Sequence, residues 1–133
     1  MNASSKQSVG SAEIHSSLQD PERAFELNAE IDGLRGEGNW HGGRNSKTLV
    51  KYSDFRVVLM VLNSGARLAE HKAVGSISVQ TISGHIRMHA QGREFDLPNG
   101  HVLTLGPGVM HDVEALEESA LLLTMAWHGA EKS

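Results

Sequence analysis

The sequence predicts an all-β fold: short antiparallel strands forming a sandwich or barrel, preceded by a short helical lead-in. Three observations carry this. From Trp40 onward, apolar residues come in short alternating or continuous runs, without a sustained helical period. The runs are separated by "NSG", "SG", "AQG", "PNG" and "GPG", which is turn chemistry. No helical pattern recurs between them, which argues against a parallel α/β sheet. A length of 133 residues suits one domain able to bury its own core.

Residues 1–20 are rich in serine and other small or polar types and lack periodicity, so a disordered tail is expected there. They contain no apolar h-region, so a secretory signal is not expected. Residues 21–46 form the lead-in. In "DPERAFELNAEIDGLRGEG", Asp20 and Pro21 have the chemistry of an N-cap and first helical position. Phe25, Leu27, Ile31 and Leu34 make a broken apolar stripe, and Asn28 could cap a second short piece. Gly33, Gly36 and Gly38 keep either piece short. Residues 47–129 form the barrel. Its strands begin with "KTLVKY" and the longer apolar run "FRVVLMVLN". "SISVQTIS" sets Ile77, Val79 and Thr81 on one face and Ser78 and Gln80 on the other. "HIRMHA" sets Ile86 and Met88 against His85, Arg87 and His89. "REFDL", "HVLTL", "DVEAL" and "ALLLTMAW" complete the series.

Composition narrows the function. The chain is 39% hydrophobic and 21% charged, ordinary values for a globular domain. It has no cysteine, which excludes disulfides, a thiol nucleophile, zinc ribbons and iron–sulfur clusters. With 12 basic and 16 acidic side chains, the formal charge is -4, so nucleic acid is not an expected partner. No apolar run approaches the roughly 20 residues that span a bilayer, so no membrane partner is expected and a cytoplasmic location is.

Two stretches carry the chemistry. The first, residues 65–84, reads "GARLAEHKAVGSISVQTISG", and the second, residues 100–111, reads "GHVLTLGPGVMH". They resemble the two motifs of the cupins. The first cupin motif runs Gly, five residues, His-x-His, three or four residues, Glu, six residues, Gly. This chain supplies Gly65, His71 and Gly84, with Ala73 in place of the second His and Ile77 in place of the Glu. The second motif is matched by Gly100, Gly108 and His111, with Gly106 in place of the motif proline and Ala115 in place of the closing Asn. "NWHGGRNSKTLVKY" and "MHDVEALEESALLLTMAW" are similar to flanking segments of a mostly uncharacterised subgroup of small single-domain cupins. The resemblance implies an RmlC-like double-stranded β-helix, the cupin jelly-roll barrel, over well over half of the chain. It also implies a homodimer, which fits the apolar content of "FRVVLMVLN" on both faces.

A cupin metal site needs two imidazoles two residues apart on one strand, joined by a carboxylate and a third imidazole from neighbouring strands. Only His71 and His111 keep a donor atom; Ala73 and Ile77 have none. Catalytic metal sites usually keep three protein ligands, so the expected site is a degraded one. Any divalent metal (Zn, Ni, Fe or Mn) would be held by His71 and His111, and imidazole without carboxylate favours zinc, nickel or copper over magnesium. Gln80 and Ser78 fall on the wrong face, while His41 is a candidate to fold over the barrel mouth. His85 and His89 have no assigned facing, and His101 is expected at the surface. Tyr52 is the one tyrosine that could pair with a histidine in metal-independent acid–base chemistry.

The first functional expectation is a module that binds a small organic molecule. Its pocket would be walled by Leu59, Val61, Val79, Leu103, Leu105, Leu123 and Met125, with His71 and His111 at the polar end. Val79, Leu103 and Met125 are the apolar ligand contacts assigned beside the two histidines. The alternative is a divalent-metal-dependent enzyme: a dioxygenase, isomerase or decarboxylase of a small metabolite. Cupins fused to a helix-turn-helix act as ligand sensors. The chain reaches Ser133 soon after its last strand, so direct transcriptional control is not expected.

Overall fold

The computed structural model describes residues 17–127. Most of the expected tail, residues 1–16, lies outside the described residues, as do residues 128–133. Among the described residues, one helix, α1 (Leu27–Arg35), precedes nine strands. These are β1 (Arg44–Lys51), β2 (Phe55–Leu62), β3 (Arg67–Lys72), β4 (Ser76–Ser83), β5 (His85–Ala90), β6 (Arg93–Pro98), β7 (Val102–Leu105), β8 (Met110–Ala115) and β9 (Ser119–Ala126). They form a five-stranded sheet in the order β1-β2-β9-β4-β7 and a four-stranded sheet in the order β3-β8-β5-β6. Every pairing is antiparallel. The chain crosses repeatedly between the two sheets, which is the jelly-roll arrangement the alternation and turns predict.

Two cores lie on the two faces of the five-stranded sheet. Leu62, Ile77, Val79 and Leu121 point between the sheets and meet Ile86, Met88, Leu97 and Val113 from the four-stranded sheet. Leu59, Val61 and Ala120 point the other way and pack under Ile31, Leu34, Leu49 and Val50. This corrects the expectation that Leu59 and Val61 line the barrel interior. The inward residue of β2 in that region is Met60. The physical reason is parity: α1 and the lead-in supply a second apolar layer, so both faces of β2 are buried within one chain. The two-sided apolar character of "FRVVLMVLN" therefore has an intramolecular cause.

The lead-in departs from its expected form in two respects. Asp20 and Pro21 do not start a helix, and Asn28 is not a cap but lies in the first turn; α1 begins at Leu27, capped by Glu26, whose carboxylate accepts from the backbone N–H groups of Asn28 and Ala29. Tertiary contacts claim the earlier segment. The Asp20 carbonyl accepts from Tyr52 Oη at 2.7 Å, the Leu18 carbonyl accepts from the Lys51 N–H at 2.8 Å, and Arg23 donates to the Leu49 carbonyl at 2.9 Å. Residues 17–20, read from the sequence as tail, are thus held against β1. At the far end of α1, Asn45 Nδ2 donates to the Leu34 carbonyl at 3.0 Å, and Arg35 donates to the Ser119 carbonyl at 2.8 Å. These bonds tie the end of the helix to β1 and to the start of β9.

Candidate functional site

The site is built where β3 and β8 pair at one end of the four-stranded sheet. Leu68 is opposite Val113, but His71, three residues on, is opposite His111, two residues before Val113. One extra residue therefore sits in β3. Without this bulge Leu68 and His71 would point to opposite faces; with it both face the space between the sheets. His71 and His111 end up side by side, ring centroids 4.2 Å apart and planes inclined at 61°. His111 is buried, with 4% of its surface accessible, while His71 is open to solvent.

Each ring is fixed by its own backbone. His71 Nδ1 lies 2.9 Å from the Ala69 carbonyl, and His111 Nδ1 lies 3.0 Å from the Val109 carbonyl. A carbonyl only accepts, so Nδ1 carries the proton in both rings. In the neutral form this leaves both Nε2 lone pairs free.

The pair faces a cavity of about 470 Å³ between the sheets. Its walls include Ala73 and Ile77, so all four positions of the metal-site pattern, His71, Ala73, Ile77 and His111, line one space. Leu123, Met125 and Trp127 add apolar wall, and Arg56 and Lys72 are the cations. A smaller cavity of about 230 Å³ lies deeper, lined by Met60, Leu68, Val79 and Leu121, and shares His71, His111 and Leu123 with the first. The three assigned apolar contacts thus separate. Met125 lines the outer cavity, Val79 lines the inner one, and Leu103, opposite Val79 on β7, packs into the core and lines neither.

No group of three or more His, Cys, Asp or Glu side chains placed to hold a metal occurs among the described residues. The other candidate donors lie elsewhere. Gln80 is exposed, and His41 bridges to Arg44 at the start of β1. His85 Nε2 pairs with Asp96 at 2.7 Å, and His101 is exposed in the turn before β7. His89 Nδ1 pairs with Asp112 at 2.9 Å and its Nε2 with Glu94 at 3.3 Å. The hydrogen bond to Asp112 holds the His89 pKa above its usual value, with Glu94 adding to it. Tyr52 packs in the outer core with its hydroxyl on Asp20, on the opposite side of the sheet from the histidines, so a His–Tyr acid–base pair is not assembled.

Sequence reasoning missed Arg56 and Trp127. Arg56 sits near the start of the apolar run of β2 and shares the parity of Met60 and Leu62, which face inward. That parity is the signal that could have found it.

An antiparallel jelly roll with a cavity at one end, walled from both sheets and carrying paired imidazoles, belongs to the double-stranded β-helix class. The comparisons with known proteins agree with the geometry. Residues 69–126 match the AraC-like ligand binding domain family. The chain is similar to a solved cupin-superfamily protein of Desulfitobacterium hafniense: 14% identity, TM-score 0.68, covering 84% of this chain and 97% of that one. It is also similar to an RmlC-like cupin of Shewanella frigidimarina: 18% identity, TM-score 0.64, 71% of this chain and 86% of that one. Salicylate 1,2-dioxygenase of Pseudoaminobacter salicylatoxidans is similar over 86% of this chain but 36% of its own length, with 15% identity and TM-score 0.72. No curated protein matches the chain. The chain has the cupin fold.

Proposed function

We propose that this protein binds a small organic ligand in the joined cavities around His71 and His111, with the imidazole pair as the polar end of the site. One observation carries the reading: the pattern positions His71, Ala73, Ile77 and His111 line a single cavity whose walls are otherwise mostly apolar. Its volume of about 470 Å³ suits a drug-sized or smaller molecule. The similarity to an AraC-like ligand binding domain, which covers both histidines, supports it. Ligand-observed NMR with a library of small organic fragments, in EDTA, tests it. Hits that compete for one site are expected, and Met125→Trp, which fills the outer cavity, is expected to abolish them. Hits indifferent to that substitution contradict the reading.

A second reading is favoured by the two Nδ1 hydrogen bonds, which leave both Nε2 atoms free, as in imidazoles that ligate metals. The donor set does not fit a catalytic metal centre, since Ala73 and Ile77 supply nothing and three protein ligands are the usual minimum. It fits weak capture of zinc, nickel or copper by two imidazoles, and a metal-dependent dioxygenase, isomerase or decarboxylase is the lesser reading for that reason. A homodimer in the cytoplasm completes the proposal. The dimer rests on the habit of the family, because α1 already covers the outer face of β2. Light scattering at twice the chain mass supports it.

A further inference from the structure

We propose that the cavity takes an organic anion, a small carboxylate with an apolar body, and that Arg56 is the residue that receives the carboxylate; this rests on the reading of the cavity as a ligand site. Arg56 lies on β2 opposite Met125 of β9, and both line the outer cavity on the wall facing the two histidines. Its Nε is buried and has no hydrogen-bond partner among the described residues. Arg56 as a whole is half-buried, and a buried guanidinium N–H is normally hydrogen-bonded, because leaving one unsatisfied costs about 1–3 kcal/mol.

The cavity offers it no such partner. None of the lining residues is acidic, while Lys72 adds a second cation at the rim. The uncompensated charge inside the cavity is therefore positive. The guanidinium carbon lies 5.6 Å from the Trp127 ring centroid, so the plane of the guanidinium has an aromatic neighbour that limits its movement. A planar fork held in this way suits bidentate capture of a carboxylate. The remaining wall is apolar: Ile77, Leu123 and Met125, with Val74 at the open rim, 66% exposed. An inorganic anion would leave that wall facing water, whereas an aliphatic or aromatic acid would cover it.

Calorimetric titration of the full chain in EDTA, with hexanoate and benzoate against hexanamide and benzamide, tests this. Each pair shares a body and differs in charge. The acids are expected to bind at least roughly tenfold more tightly than their amides, the difference one charge-assisted bidentate contact makes. Arg56→Gln is expected to remove that gap, and Arg56→Lys, which keeps the charge but loses the fork, to keep part of it. Equal binding of acid and amide by the wild type overturns the anion assignment while leaving the cavity a ligand site. A gap that survives Arg56→Gln overturns the role of Arg56. Binding of neither acids nor amides contradicts the ligand site itself. The acid–amide comparison needs no substitution, so it decides the anion question even if a variant fails to fold.

Discussion

At the residue scale, the site turns on what four side chains can donate. His71 and His111 present free Nε2 atoms, and Ala73 and Ile77 present none. A divalent ion entering the cavity loses hydration that two imidazoles only partly replace. Titration calorimetry with Zn²⁺, Ni²⁺, Fe²⁺ and Mn²⁺ is expected to show weak binding, strongest for zinc or nickel and lost in His111→Ala. Tight stoichiometric Fe²⁺ or Mn²⁺ binding would mean that a further donor enters the shell. His89 gives an independent check. Its pairing with Asp112 raises its pKa, so it holds its proton to higher pH folded than unfolded. The stability this confers is fully present below the unfolded value of about 6.5 and is lost as pH rises through the folded value. An NMR titration of the His89 ring is expected to place its midpoint above 6.5, and Asp112→Asn to lower it. A midpoint unmoved by that substitution would contradict the assigned cause.

At the element scale, the closing glycine of the first motif illustrates how spacing encodes packing. Gly84 has φ +84°, and a Cβ there would lie against the Glu118 carbonyl oxygen and Ser119. Both backbone strain and a clash oppose a side chain, so Gly84→Ala is expected to lower the thermal midpoint clearly. Gly33, whose Cβ would meet nothing within 4 Å, serves as the control, and Gly33→Ala in α1 is expected to be neutral or stabilising. The outer core is tested by Leu34→Ala, where loss of a buried leucine is expected to cost about 2–5 kcal/mol in denaturant unfolding. Most strands were legible because turns and alternation are local signals. β3 was legible only through its motif, since its residues are almost all exposed and it has no apolar periodicity. The bulge between Leu68 and His71 has no local signature, yet it turns His71 inward. The start of α1 was missed because Asp20 has cap chemistry that its contact with Tyr52 overrides.

At the scale of the whole molecule, one sheet serves two cores. Its outer face holds the lead-in and its inner face holds the cavity, so the helix is a structural layer remote from the site. That division explains why the expected pocket wall splits. Val79 and Met125 line the cavities, whereas Leu59 and Val61 belong to the face that the lead-in covers. Arg56 was hidden because a run of apolar neighbours disguises the one charged residue that points inward. The same division predicts selectivity: ligand binding should perturb the cavity wall and leave α1 unaffected.

Chemical-shift mapping on the ¹⁵N-labelled protein, in EDTA with hexanoate as the probe, tests the central claim most directly. The amide shifts are expected to concentrate at His71, Ala73, Ile77, His111 and Met125, while those of α1 stay in place. Shifts centred elsewhere, or no shifts in that cluster until a divalent metal is added, would contradict the account of a cavity that binds an organic ligand without a metal.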